Sequence, residues 1–108
     1  MRARLLWLLA LPLAACGAEK KVPLSAAAAR GREVFLHTSS PTCGTCHKLL
    51  DAHTTGTLGP DLDAMKPLRE RVLRSVQQGI GVMPTQKGVL TEAQMEDVAT
   101  YVAEVAGR

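Results

Sequence analysis

Aromatic side chains are almost absent from this chain, whose 108 residues include one Trp, one Tyr and one Phe. Trp7 lies in the N-terminal segment, so Phe35 and Tyr101 are the only large rings left for a folded domain. A domain of this size buries only a marginal core when it has so few large side chains. A bulky apolar group held inside the domain would supply the missing volume.

Several sequence patterns are also missing, and each absence excludes a class of protein. No stretch alternates apolar and polar residues as a half-buried strand does, which predicts an all-α fold. No apolar run reaches the roughly 20 residues that a membrane-spanning helix needs. There is no basic tract interleaved with aromatic residues, so nothing supports nucleic-acid binding.

The first 15 residues are typical of a secretory signal peptide. Met1-Arg2-Ala3-Arg4 is short and basic, and an apolar segment runs from Leu5 to Leu11. Removal of this segment leaves 11 Lys and Arg against 10 Asp and Glu, a formal charge of about +1. We therefore expect an exported protein with a nearly neutral mature chain.

Leu13-Ala14-Ala15-Cys16 resembles the lipobox of bacterial lipoproteins. The resemblance implies that Cys16 is lipidated, and two or more acyl chains anchor a protein firmly to a membrane. It predicts a signal peptide at 1–15, a lipidated cysteine and tether at 16–24, and a domain at 25–108, anchored to a bacterial membrane facing the periplasm or the cell exterior. The alternative is an ordinary cysteine, with cleavage after Ala14 or Ala15.

Helical periodicity and capping signals predict about four helices in the domain. They run from about 25 to 37, through a short segment ending near 50, from 67 to 78, and from about 91 to 105. Gly31 lies inside the first helix, where glycine costs about 1 kcal/mol against alanine, so we expect another helix to approach closely there. Thr91 and Gln94 form a capping box at the start of the last helix.

Cys43-Gly44-Thr45-Cys46-His47 is the most informative segment of the chain, because C-x-x-C-H is the attachment sequence of c-type haem. Thiols two residues apart fit one helical turn and can reach the two vinyl groups of one porphyrin. The adjacent imidazole is then available as the proximal iron ligand. A redox-active dithiol is an alternative for Cys43 and Cys46, but such a motif occurs in a βαβ context, which this helical chain lacks. A zinc site that also recruits His53 has unsuitable spacing, because Cys46 and His47 are adjacent.

Gly81-Val82-Met83-Pro84 offers a thioether for the other face of the haem, 36 residues after His47. His/Met ligation fills both axial positions of the iron and raises the reduction potential. Other side chains could in principle serve as the distal ligand: Met65, Met95, His37 and His53. The glycine and proline on either side of Met83 make it the preferred candidate.

Taken together, the domain resembles the class I c-type cytochromes. The resemblance rests on features in the family's order: Gly31 and Phe35 in the first helix, the C-x-x-C-H segment, Gly59-Pro60-Asp61-Leu62, the Met83 segment, and Tyr101 in the last helix. It implies a small fold of about four helices around one haem c, attached through thioethers to Cys43 and Cys46. It further implies that the Pro60 carbonyl accepts a hydrogen bond from His47, and that Leu62 packs near the haem edge.

The function that this resemblance implies is electron transfer by a membrane-anchored, extracytoplasmic monohaem cytochrome. We expect redox proteins as partners and no enzymatic reaction at the iron. A second interpretation is a haem c subunit that passes electrons within an exported oxidoreductase complex. A third is a haem enzyme or gas sensor with a vacant sixth position, which would bind carbon monoxide rapidly.

Overall fold

The computed structural model describes residues 22–108, so the signal segment, Cys16 and most of the predicted tether lie outside the described part of the chain. The described residues form a helix-rich fold, as the sequence predicted. In chain order its elements are α1 (Ala26–Glu33), a π-helical turn (Val34–Thr38), α2 (Cys43–Cys46), β1 (Lys48–Leu49), β2 (Thr54–Thr55), α3 (Leu62–Met65), α4 (Arg69–Gln78) and α5 (Glu92–Val105).

Helix α1 crosses α5 at Gly31, where the two backbones touch. A Cβ atom on Gly31 would lie 2.6 Å from the carbonyl carbon of Asp97 and 2.7 Å from the Cβ of Tyr101. Arg30 reinforces the crossing with two hydrogen bonds to the Asp97 carboxylate, of 2.9 and 3.1 Å. The close approach expected at Gly31 is therefore present, and only glycine fits there.

The core beneath this crossing is built around the two aromatic rings of the domain. Phe35 and Tyr101 are 1% and 0% exposed, and they meet edge to face with ring centroids 5.8 Å apart. The Tyr101 hydroxyl donates a 2.6 Å hydrogen bond to Asp51, which lies 3.8 Å from Arg32. The buried aliphatic side chains of α5 complete this core: Met95, Val98, Val102 and Val105.

The N-terminal end of the described chain is fixed against the C-terminal end of α5. The backbone N–H and the hydroxyl of Ser25 donate hydrogen bonds of 2.9 and 2.8 Å to the Glu104 carboxylate. These bonds hold the pKa of Glu104 below its usual value. Ser25 also caps α1, because its Oγ accepts a hydrogen bond from the N–H of Ala28. The chain therefore enters the domain at a defined point.

Three helix boundaries differ from the sequence prediction. The first helix widens into the π-helical turn, in which the N–H of Ser39 bonds to the carbonyl of Val34. The segment predicted as helical to Leu50 ends its helix at Cys46, and β1 pairs there with β2. Helix α4 begins at Arg69, because Pro67 lies outside the helix and Leu68, the N-cap, is extended. The short helix α3 was not predicted.

Helix α5 begins where the sequence indicated. The Thr91 hydroxyl accepts from the backbone N–H of Gln94, whose side chain accepts from the N–H of Thr91. Leu90 and Met95 flank the capping box at the positions of a hydrophobic staple, and both are buried. Within residues 22–108, no helix combines the length and the apolar character that crossing a bilayer requires.

Candidate functional site

A cavity of about 740 Å³ opens between α2, α4, α5 and the loops that join them. Its volume lies within the range of about 300–1,000 Å³ typical of small-molecule and cofactor sites. The walls are mainly apolar and include Phe35, Val72, Val76, Val98 and Val102. The predicted site residues within the described chain all line it: Cys43, Cys46, His47, Pro60, Leu62 and Met83.

Helix α2 is a single turn that carries both cysteines of the attachment sequence. Thr42 precedes it in extended conformation, and the N–H of His47 closes the turn on the carbonyl of Cys43. Both cysteines are half-buried and line the cavity, and neither forms a disulfide within the described chain. Burial raises the pKa of the Cys43 thiol above its usual value, so this sulfur lies in an apolar environment suited to contact with a porphyrin.

The His47 side chain is oriented by the backbone of Pro60. Its Nδ1 lies 2.8 Å from the Pro60 carbonyl oxygen. A carbonyl only accepts, so Nδ1 carries the proton and donates this bond. In the neutral imidazole this tautomer leaves the lone pair on Nε2, which is the nitrogen available as a ligand, and the hydrogen bond fixes the orientation of the ring.

Glycines allow the loop after β2 to pack tightly around α2 and His47. A Cβ on Gly59 would lie 2.6 Å from Cε1 of the imidazole and 2.9 Å from its Nδ1. A Cβ on Gly56 would lie 2.6 Å from the carbonyl carbon of Cys46. These two positions hold the loop against the imidazole and the end of α2.

Met83 is held in a tight turn that follows α4. Ile80 and Met83 exchange backbone hydrogen bonds of 3.0 and 2.9 Å, with Gly81 between them at φ +55°. The Thr85 hydroxyl donates a 2.6 Å bond to the carbonyl of Gln77, near the end of α4. The Met83 side chain is half-buried and packs against the core.

Gln86 is a site residue that the sequence analysis did not identify. It lines the cavity, is only 4% exposed, and bonds through its side-chain amide to both backbone groups of Ser40. Its own N–H donates to the carbonyl of Val76 in α4. The loop that carries Met83 is thereby fastened to the segment leading into α2. In the sequence, Gln86 is marked only as a polar residue close to the Met83 turn, which does not indicate that it is buried at the site.

The structure also separates the alternative distal ligands. Met65 lines the cavity, whereas Met95 is buried in the core and neither His37 nor His53 is among the lining residues. In residues 22–108, no three His, Cys, Asp or Glu side chains are grouped so that they could hold a metal ion. The zinc interpretation therefore has no structural support in the described chain.

The residues present fit a haem c. Two thiols on one helical turn, an imidazole with a free Nε2, a half-buried thioether and an apolar cavity meet in one place. Side chains of this kind hold the iron and the vinyl groups of a covalently attached haem.

Comparison with known proteins agrees with this arrangement. The sequence pattern of the family described as cytochrome C oxidase, cbb3-type, subunit III matches residues 26–102. Cytochrome c6 from Picosynechococcus sp. is 34% identical over 93 residues, covering 76% of each chain. The crystal structure of the c-type cytochrome SorU from Sinorhizobium meliloti superposes with a TM-score of 0.74 at 49% identity, covering 76% of this chain and 93% of the other.

Proposed function

This chain belongs to the class I c-type cytochromes, small electron-transfer proteins with one covalently bound haem c, and we propose that its haem iron is ligated by His47 and Met83. Thioethers to Cys43 and Cys46 fix the haem beside helix α2. The observation that carries the proposal is the convergence of these four side chains on one apolar cavity.

The proximal role of His47 is supported by its hydrogen bond to Pro60. This bond fixes the tautomer in which Nε2 can bind iron, and it holds the ring plane in one orientation. Gly59 leaves room for the ring in that orientation, whereas any residue with a Cβ atom at this position would clash with it. Leu62, which is 8% exposed, adds apolar surface close to the same segment.

The distal role of Met83 is supported by the origin of its loop. Met65 ends α3, whose start is fixed near His47 through Pro60 and Asp61. Met83 instead comes from the separate turn after α4, as a ligand for the opposite face of the haem must. Two backbone hydrogen bonds between Ile80 and Met83 also make this turn stiff, so the Met83 backbone loses little conformational freedom when the thioether binds iron.

In electron transfer, the haem c supplies a one-electron Fe(III)/Fe(II) couple. The chain's own contribution would be to supply His47 and Met83 as the two iron ligands, to hold both side chains still as the charge changes, and to exclude water with the apolar cavity walls. With no open position at the iron, we expect no catalytic conversion of a substrate there. Donor and acceptor are other redox proteins.

The lipobox resemblance supports a further part of the proposal, an extracytoplasmic protein anchored through Cys16. Its signal peptide would span 1–15, its lipidated cysteine and tether 16–24, and its cytochrome domain 25–108. The anchor would keep the domain near membrane enzymes and raise its effective concentration there. Mass spectrometry of the mature protein tests this: an acylated N-terminal Cys16 supports the anchor, and a free thiol contradicts it.

The alternative function is a haem c subunit of an exported oxidoreductase complex. The matched family pattern supports this alternative, because the family is described as a subunit of an oxidase. A stable second subunit that co-purifies with the chain from membranes would support this alternative. A chain that purifies alone and still exchanges electrons with soluble redox partners would support the free carrier.

Optical spectra test the ligation. The ferric protein should show the near-infrared charge-transfer band of a thioether-ligated haem, and the reduced protein should not bind carbon monoxide rapidly. Met83→Ala should remove the band and open the iron to carbon monoxide. Met65→Ala is the matched control, since Met65 also lines the cavity, and it should leave both properties unchanged. The opposite result for the two variants would assign the ligand to Met65 and contradict the proposal.

A further inference from the structure

The three arginines of helix α4 lie in three different environments. The Nε of Arg69 donates a 2.9 Å hydrogen bond to the Thr100 hydroxyl of α5, so this side chain joins the two helices. Arg74 is exposed and does not line the cavity. Arg71 is exposed but lines the cavity, on the same helix face as Val72, Ser75 and Val76.

Arg71 is the only side chain with a permanent charge among the described residues that line the cavity. Within residues 22–108 it takes part in no ion pair: the acidic side chains that do so pair with Arg30, Arg32, His37, Lys48 and Arg108. A guanidinium without a carboxylate partner therefore stands at the rim of an apolar site.

A haem brings two carboxylates, its propionates, into that site. An ionised carboxylate is not stable against apolar walls unless it is paired or hydrogen-bonded, so it is directed to the rim or to a cation. Arginine binds a carboxylate through two parallel N–H donors, and its aliphatic stem can lie along apolar surface. Arg71 offers both properties at the cavity wall.

From this we infer that Arg71 binds a haem propionate and thereby raises the reduction potential of the iron. A fixed positive charge beside the haem favours the state with one more electron. The inference depends on the haem c alone and not on which residue is the distal ligand. Arg71 is a cofactor-binding residue that nothing in the sequence distinguishes from Arg69 and Arg74, the other two arginines of α4.

Midpoint potentials of the full-length, haem-loaded protein test this inference. Arg71→Gln removes the charge, Arg71→Lys keeps the charge but loses the two-pronged donor, and Arg74→Gln is the matched control one helical turn away. We expect Arg71→Gln to shift the Fe(III)/Fe(II) equilibrium toward Fe(III) by about three- to tenfold, where tenfold is about 59 mV for a one-electron couple. Arg74→Gln should shift it clearly less, and Arg71→Lys should stay close to the original protein.

Redox-induced infrared difference spectra give a second readout, with the propionate carboxylates labelled with ¹³C. The labelled bands should move in both Arg71 variants and stay in place in Arg74→Gln. If Arg71→Gln does not retain haem, the bands of Arg71→Lys decide the matter alone. Equal potential shifts in the two Gln variants, or labelled bands that do not respond to Arg71, would overturn the inference.

A contact between Arg71 and an acidic partner protein would give a different pattern. The potential and the propionate bands would then be unchanged in Arg71→Gln, while electron exchange with the partner would slow and lose salt dependence. That outcome also overturns the inference. The near-infrared thioether band, recorded for each variant, shows separately whether the axial ligation has been kept.

Discussion

The side-chain amide of Gln86 exchanges two hydrogen bonds with the backbone of Ser40: its Oε1 accepts from the N–H at 3.1 Å, and its Nε2 donates to the carbonyl at 3.2 Å. The two residues are 46 positions apart in the chain. Ser40 lies three residues before Cys43, and Gln86 lies three residues after Met83. This one part-buried contact therefore joins two segments that line the cavity, the one leading to Cys43 and the one following Met83.

Gln86→Ala should destabilise the protein and loosen Met83 together. The substitution removes two part-buried hydrogen bonds to the backbone of Ser40, each worth about 0.5–1.5 kcal/mol. We expect a lower free energy of unfolding in denaturant titrations and faster carbon monoxide binding to the reduced protein. Gln78→Ala, an exposed glutamine at the end of α4, is the control. Unchanged carbon monoxide kinetics in Gln86→Ala would show that Met83 is held without this contact.

Gly59→Ala should displace the His47 ring. The new methyl group would lie 2.6 Å from Cε1 of the imidazole, so either the ring turns or the loop moves away and weakens the bond to Pro60. With His47 as the proposed iron ligand, both changes would alter the ligand field, and electron paramagnetic resonance of the ferric protein should show shifted g values.

Gly88→Ala separates this steric effect from backbone strain. Gly88 has φ +84° and open space around the position of a Cβ, so alanine there costs about 1 kcal/mol in conformation only. The electron paramagnetic resonance spectrum of Gly88→Ala should match that of the original protein. A Gly59→Ala spectrum with the original g values would contradict the steric role assigned to Gly59.

Tyr101→Phe should change how stability depends on pH. Burial and the carboxylate of Asp51 raise the pKa of Tyr101 well above its usual value. An unfolded tyrosine ionises near pH 10, so above that pH the unfolded chain releases a proton that the folded protein keeps. The free energy of unfolding of the original protein should therefore fall as the pH rises beyond about 10.

The phenylalanine variant lacks this contribution. At neutral pH it should be less stable by about 1–3 kcal/mol, because Asp51 loses its hydroxyl donor. The difference in stability between the two proteins should then narrow as the pH rises above 10, measured by denaturant unfolding from pH 7 to 11. A difference that stays constant over this range would contradict the raised pKa.

Local chemistry explains which parts of the fold could be predicted from the sequence. The Thr91 capping box, the Ser25 cap and the need for glycine at position 31 follow from residues within a few positions, or from the cost of a side chain. The helical turn of Cys43–Cys46 follows from the spacing of its thiols. These features are all present in the structure.

Other features depend on residues distant in sequence and could not be found in this way. The bond between Gln86 and Ser40 exists only because the fold brings the two loops together. Arg71 and Arg74 look equivalent in sequence, and only the orientation of α4 places one of them at the cavity. The start of α4 at Arg69 was predicted two residues too early, because proline is accepted both as the first residue of a helix and in the chain just before one.

The clamp between Ser25 and Glu104 determines how a lipid anchor would act on this molecule. Since the chain is fixed to α5 from that point onward, the length of the segment before it can change without disturbing the cavity. Under the proposed acylation of Cys16, the domain would search for partners by lateral diffusion in two dimensions. Its rate of electron exchange would then depend on the surface density of those partners and on the length of the tether. Insertions or deletions ahead of Ser25 would change the tether length without changing the redox chemistry.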